Sequence, residues 1–155
     1  MSNTFNYKRF ELNFYIAFSK GNQVMNIADN FYNSGDPLSN NYKSMVNRWS
    51  PSNPNSDIPT MSRDYVPNTR WIYDGSFLRL KSASIGYNIP GSVMRLGWVR
   101  NVNIYVSASN LFLLTSYPYY DPETSYYGTS STVRGFDATN YPQNRSYVGG
   151  IKIDF

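Results

Sequence analysis

The sequence predicts an all-β chain: an antiparallel transmembrane β-barrel segment of about four strands and two long loops, too few strands to close. Three observations carry this. Phe10 to Ser19 alternates apolar and polar residues without a break. The alternation returns at the C-terminus. There Tyr147, Gly149, Ile151, Ile153 and Phe155 share one face, and Ser146, Val148, Gly150, Lys152 and Asp154 the other, because strand side chains alternate with period two. The connections between strands run long, short, long, as in a membrane barrel with long loops on one side and tight turns on the other.

Composition fits the same class. Of 155 residues, 17% are aromatic, with 15 Tyr, and only 15% are charged. A disordered chain would be poor in aromatics. The mean hydropathy is −0.51, and no run approaches the roughly 20 apolar residues of a spanning helix. Barrel strands, which are half polar, remain allowed. The net charge of +4 comes from basic residues scattered singly, apart from Lys8-Arg9, which gives no nucleic-acid footprint. Cysteine is absent, so there is neither a disulfide framework nor thiol chemistry. Histidine is absent too, which removes the usual general base and metal ligand. Met1 to Phe5 shows no basic or apolar leader, so the expectation is a chain that is either not exported or a fragment.

Taken in order, Phe10, Leu12, Phe14, Ile16 and Phe18 form the apolar face of the first strand, opposite Glu11, Asn13, Tyr15, Ala17 and Ser19. Its length matches the roughly 9–11 residues of a tilted transmembrane strand. A half-buried strand of a soluble sheet would read the same way. Gly21 to Gly75 is far longer than an ordinary loop and is expected to be functional or partly structured. Val24, Ile27, Ala28 and Phe31 have helical spacing and predict a short helix near Gln23–Tyr32; the alternative is that the first strand continues outward. Asn47 to Pro59 is turn-rich, its backbone restricted by Pro51, Pro54 and Pro59.

The second strand, Ser76 to Ile89, changes phase. Leu78 and Leu80 have one parity, while Ala83, Ile85, Tyr87 and Ile89 have the other. One extra residue near Lys81-Ser82, a β-bulge, restores a single apolar face. A short connection from Ser92 to Trp98 follows. The third strand, Arg100 to Leu113, sets Val102, Ile104, Val106, Ala108 and Phe112 against Asn103, Tyr105, Ser107 and Ser109, with Asn110 interrupting the apolar side. Thr115 to Arg145 is a second long loop, rich in Tyr, Pro, Ser and Gly. No internal repeat and no dividing linker are visible.

Candidate sites lie in the loops. Without His or Cys, a carboxylate pair is the remaining catalytic design, and Asp121-Pro122-Glu123 reads more simply as a turn. No enzyme is expected. Nor is a metal, since no loop has the ligand spacing of a calcium site. Trp49, Trp71, Tyr117, Tyr119, Tyr120, Tyr126 and Tyr127, with Asp121, are the candidate ligand or partner contacts, because such rings pair an apolar face with a polar tip. Packing of the loops against themselves is the competing use of each ring.

Several stretches resemble one family. Arg48-Trp49-Ser50-Pro51-Ser52-Asn53-Pro54 with Asp57-Ile58-Pro59 resembles a loop of SusC/RagA-type TonB-dependent transporters. Asp74-Gly75-Ser76-Phe77-Leu78-Arg79-Leu80-Lys81 and Gly86-Tyr87-Asn88-Ile89-Pro90 resemble that family's third-from-last strand, and Ser109-Asn110-Leu111-Phe112 its penultimate one. Tyr120-Asp121-Pro122-Glu123 and Tyr141-Pro142-Gln143-Asn144-Arg145 resemble its last external loop. Departures are small: Ser50 stands where Thr is common and Asn144 where Pro is frequent. The final residues, with Tyr147, Ile151, Ile153 and Phe155 on one face, resemble the signal strand read by the barrel-assembly machinery of bacterial outer membranes.

The resemblance implies a plugged barrel of roughly 22 strands in the outer membrane of a Gram-negative bacterium. It implies import of glycans or peptides together with a SusD-like surface lipoprotein acting as a lid. The TonB complex would supply energy through an N-terminal part, and no cofactor is implied. Residues 1–155 then correspond to the C-terminal barrel segment, with the plug absent, as a truncated product or a fragment. Tyr147, Ile151, Ile153 and Phe155 are expected to face lipid, and Asn103, Tyr105, Ser107, Ser109, Lys152 and Asp154 the interior. The alternatives are a soluble β-rich carbohydrate-binding module using the loop aromatics, and a structural surface protein.

Overall fold

Five antiparallel strands make the main sheet. In chain order they are β1 (Ser2–Tyr7), β2 (Phe10–Ser19), β5 (Phe77–Pro90), β6 (Asn101–Thr115) and β8 (Ser146–Asp154), and they lie side by side in that order. The computed structural model describes residues 1–33, 38, 40–61, 68–95, 97–128 and 134–155. The contacts divide these into two units. One holds Met1–Lys20, Ser76–Ser116 and Pro142–Phe155; the other holds Gly21–Gly75 and Tyr117–Tyr141. The second unit is assembled from two insertions into the first.

The sheet has five strands rather than about four. The extra strand, β1, places Phe5 against Leu12 and Tyr7 against Phe10. It escaped the periodicity because it is short and carries Asn3 on its apolar side. Lys8-Arg9 turns the chain between β1 and β2, with Lys8 at φ 55°, the left-handed conformation that tight hairpin turns require.

The expected bulge is present, and it widens across three strands. Phe14, Ala83 and Ala108 lie in one row, and Ile16, Leu80 and Phe112 in the next on the same face. Between these rows β2 has only Tyr15, β5 has Lys81 and Ser82, and β6 has Ser109, Asn110 and Leu111. Asn110 absorbs the extra length at φ 53°, and its side-chain amide donates to the Asn144 carbonyl at 2.9 Å. Asn is among the few residues other than Gly that adopt this conformation readily. One apolar face is thereby kept through the parity break.

That face is open. Phe5 is 57% exposed, Ile85 51%, Val106 54% and Ile151 66%. Exposed large apolar residues run across all five strands, far beyond the scattered singles of an ordinary surface. The opposite face is polar and internally bonded. Thr4 donates to Asn13 at 2.7 Å, Asn13 to Glu11 at 2.8 Å, and Asn103 to Asn88 at 2.8 Å. Lys152 pairs with Asp154 at 3.5 Å on this side.

Strand ends fix the connections. Ser19 lies beside Phe77, and Phe77 beside Thr115, so both long insertions leave from the same end of the sheet. Lys8-Arg9 and a short connection beginning with the helical turn α2 (Gly91–Met94) join strands at the other end. Gly91 sits there under the backbone: a Cβ on it would lie 1.8 Å from the Val99 carbonyl oxygen.

The second unit contains a three-stranded sheet. Its strands β3 (Gln23–Asn26) and β4 (Ile72–Asp74) pair antiparallel, and β7 (Phe136–Asp137) joins β3 in parallel. The helix expected over Gln23–Tyr32 covers only α1 (Ile27–Tyr32). Val24 and Met25 pair with Tyr73 and Ile72 instead, so sheet pairing overrides helical spacing. Asn26 starts the helix by accepting the Asp29 N–H on its side chain at 2.7 Å, which satisfies one of the free donors of the first turn. Val24, Ala28, Met45, Trp71 and Tyr117 form the apolar core of this unit.

Candidate functional site

The second unit is built around buried hydroxyl–carboxylate bonds. Asn26, besides capping α1, donates its side-chain amide to the Tyr117 hydroxyl oxygen at 3.2 Å. Tyr117 in turn donates to Asp137 Oδ2 at 2.7 Å. Asp137 Oδ1 accepts the N–H groups of Thr139 and Asn140 at 3.0 and 3.3 Å, the Asx-turn geometry that Asp favours. Asp29 accepts from the Asn33 amide and the Tyr73 hydroxyl. The Tyr73 and Tyr119 hydroxyls lie 3.3 Å apart. Asn26, Asp29 and Asp137 are all nearly inaccessible to solvent. Buried polar groups are costly unless bonded, and here each carboxylate has at least two donors.

The rings interlock. Tyr73, Tyr117 and Tyr119 meet mutually with centroids 5.3–6.1 Å apart and tilted or edge-on planes, the arrangement the ring quadrupole favours. Their hydroxyls are held neutral. Burial pushes Tyr117 well above the usual phenol range, and the hydrogen bond to Asp137 adds to it. Burial does the same to Tyr119, followed by the Asp29 carboxylate and the Tyr73 hydroxyl beside it. Tyr73 is raised by burial and then by its bond to Asp29. Tyr42 is raised by burial, then by the negative charges of Asp29 and, more weakly, Asp137.

Beside this network lies a cleft of about 390 Å³, lined by Asn26, Tyr42, Pro118, Tyr119, Tyr120, Asp137 and Thr139. Thr139 is at φ 63°. For a β-branched residue this is an outlying conformation, of the kind that persists only when surrounding contacts enforce it.

The structure sorts the loop residues picked from the sequence. Trp71 and Tyr117 are 4% exposed and Asp121 7%, so these three lie in the interior. Burial favours the packing use of these side chains. Asp121 Oδ1 accepts the Glu123 N–H at 2.9 Å, which fits the turn reading of Asp121-Pro122-Glu123. Trp49, Tyr120, Tyr126 and Tyr127 are exposed, and Tyr119 is half-buried on the cleft wall. Tyr120 shares that cleft, whereas Tyr126 packs on Tyr127 and Tyr127 on Phe136, and Trp49 sits in the proline-rich loop, its backbone N–H on the Ile58 carbonyl. Asn26, Asp29, Tyr42, Tyr73 and Asp137 were not singled out. The N-cap position of Asn26 and the Asx-turn position of Asp137 were the available signals.

On the terminal strand, Tyr147, Ile151, Ile153 and Phe155 are exposed on the apolar face. Phe155 stacks on Trp98, 5.6 Å between centroids and 11° between planes.

No family model matches the chain. Two TonB-dependent receptors of Formosa agariphila, P3 and P26, are 36% and 32% identical to it over 159 and 162 residues, each match covering 99% of this chain and 16% of the receptor. Among solved structures, the RagAB peptide transporter matches 97% of this chain and 16% of its own at a TM-score of 0.78 and 27% identity. The RagAB peptide importer in its closed-closed state matches 99% and 17%, at 0.78 and 26%. The chain thus spans about a sixth of the length of the relatives it matches. The resemblance to SusC/RagA-type TonB-dependent transporters read from the motifs is borne out. The matched proteins are named receptors, transporters and importers, not enzymes.

Proposed function

Since this chain carries the sequence and fold of a TonB-dependent receptor segment, we propose that it forms the C-terminal part of the wall of an outer-membrane transporter of that type, in a Gram-negative bacterium. The observation that carries the reading is the main sheet: one continuous exposed apolar face across five antiparallel strands, backed by a bonded polar face. A strand wall between lipid and a polar interior needs this two-sidedness. A soluble carbohydrate-binding module would leave the apolar face in water, where patches of this extent favour association.

The remaining parts of the reading follow. Both long insertions leave one end of the sheet and serve as external loops; the tight connections serve as periplasmic turns. The exposed rings Trp49, Tyr120, Tyr126 and Tyr127 and the cleft at Tyr119 meet the substrate or a SusD-like lipoprotein lid. Tyr147, Ile151, Ile153 and Phe155 present the strand to the assembly machinery. Among the described residues, β1 and β8 each have one unpaired edge, which in lipid must be paired with further strands. TonB-coupled import of oligosaccharides or peptides belongs to the whole protein, through parts outside this segment.

Nitroxide labels on single cysteines at Ile151 and Lys152 test the wall. In the bilayer-reconstituted protein, position 151 should be quenched by a lipid-soluble reagent and position 152 by an aqueous one. The reverse pattern, or aqueous access at both, refutes the membrane wall.

A further inference from the structure

The cleft beside the tyrosine network has a charge character of its own. We infer that it seats a cationic group of a peptide ligand, a lysine ammonium being the best fit; this rests on reading the chain as the loop-bearing wall of an importer. Its volume of about 390 Å³ suits a side chain with its flanking backbone. Tyr42, Tyr119, Tyr120 and Pro118 supply apolar and π faces, and no Lys or Arg is among the residues that line it.

Three residues of the lining, Asn26, Asp137 and Tyr119, turn their polar groups inward, and Tyr42, Tyr120 and Thr139 add hydroxyls. Asn26 uses its side-chain oxygen on the Asp29 N–H and its amide on Tyr117. Asp137 accepts three hydrogen bonds from within the unit. The Tyr119 hydroxyl lies against that of Tyr73. What reaches an occupant is negative potential and the faces of rings. Asp29 and Asp137 are 1% and 4% exposed, and their donors are hydroxyls and amides; among the described residues neither forms an ion pair. Arg70, which acts on Tyr73, is outside the lining: it donates to the Asp57 carbonyl and lies over the Trp71 ring. The raised Tyr42 hydroxyl is consistent with the field of both carboxylates reaching the cleft. A desolvated cation over tyrosine faces, beside a buried carboxylate, gains from both.

Thr139 fixes this geometry. Its left-handed backbone brings the N–H groups of Thr139 and Asn140 onto Asp137 Oδ1, which holds the carboxylate at the cleft wall.

The test compares two blocked pentapeptides, Ala-Ala-Lys-Ala-Ala and its norleucine analogue, with maltotriose, by isothermal titration against the protein in detergent micelles. The lysine peptide should bind about tenfold tighter than the norleucine peptide. The preference should shrink as salt rises from about 0.05 to about 0.5 M. Tyr120→Ala, at an exposed ring that the fold does not need, should cut it about fivefold. Asp137→Asn should abolish it, and the Tyr120 and salt results stand even where that variant fails to fold. Equal affinity for the two peptides, tighter binding of maltotriose, or no binding of the lysine peptide overturns the inference. The labels at 151 and 152 read the membrane wall separately: lysine preference without lipid access refutes the wall and leaves the cleft intact.

Discussion

Removing one oxygen atom should loosen the second unit. Tyr117→Phe keeps the buried ring, so it creates no cavity, and deletes only the hydroxyl. That hydroxyl donates to Asp137 at 2.7 Å and accepts from Asn26 at 3.2 Å, in a residue 4% exposed. A hydrogen bond to a charged group contributes about 1.5–3 kcal/mol and a neutral one about 0.5–1.5. The buried Asn26 donor is left unsatisfied, while Asp137 keeps two backbone donors. The sum is a loss of about 2–4 kcal/mol. Hydrogen exchange in detergent micelles reads it locally. Amides of α1, β3 and β7 should exchange faster by the factor that this free energy implies, while those of β5 and β6 stay unchanged. Tyr120→Phe, at an exposed ring, should change exchange by less than about 0.5 kcal/mol. If Tyr117→Phe proves equally silent, the bonded network does not hold the unit together.

Three further outcomes follow from the same structure. Ile151→Arg should lower the stability of the bilayer-embedded protein by about 2–4 kcal/mol, because in the proposed wall the side chain faces lipid in mid-strand; denaturant titration of the lipid-embedded form checks it, and a neutral result contradicts the assigned face. Gly91→Ala forces a Cβ to within 1.8 Å of the Val99 carbonyl oxygen and must displace backbone, whereas a Cβ on Gly97 meets nothing within 4 Å; the first should slow or block acquisition of the heat-modifiable folded band on electrophoresis and the second should not. Alkaline pH should unfold the second unit. Tyr42, Tyr73, Tyr117 and Tyr119 are raised in the folded state, so their contribution is complete below the free-phenol value near 10 and declines as pH rises above it. Absorbance at about 295 nm should show a tyrosinate phase delayed beyond pH 10 and coincident with loss of structure, and a single reversible titration of every tyrosine near 10 would contradict the buried network.

The two-faced strand pattern was legible because a two-sided sheet imposes it locally. Residues of Phe10–Ser19 and Ser146–Asp154 alternate between the exposed apolar face and the polar face of the sheet, so period two is written into consecutive letters. The bulge was legible for the same reason: Leu80 and Ala83 disagree in parity, and only an inserted residue reconciles them. What stayed hidden was its spread into β6 at Asn110, since the sequence there keeps its parity and the slip exists only relative to β5. β1 stayed hidden because Phe5 and Tyr7 make too short a pattern without Phe10 and Leu12 opposite.

The cleft is the reverse case. Asn26 and Tyr117 are 91 positions apart, and each looks like ordinary loop chemistry in its own neighbourhood. Trp71 and Tyr120 are both loop aromatics by sequence, yet one is buried and the other 70% exposed. Sequence alone determined the strand faces, the terminal apolar stripe and the family likeness, because alternation and short motifs are local. Tertiary structure alone decided which aromatics are core and which are surface, and that Asn26, Tyr42 and Asp137 come to line one cleft. Burial and electric field depend on what two distant insertions bring into contact, and no stretch of either insertion contains that information.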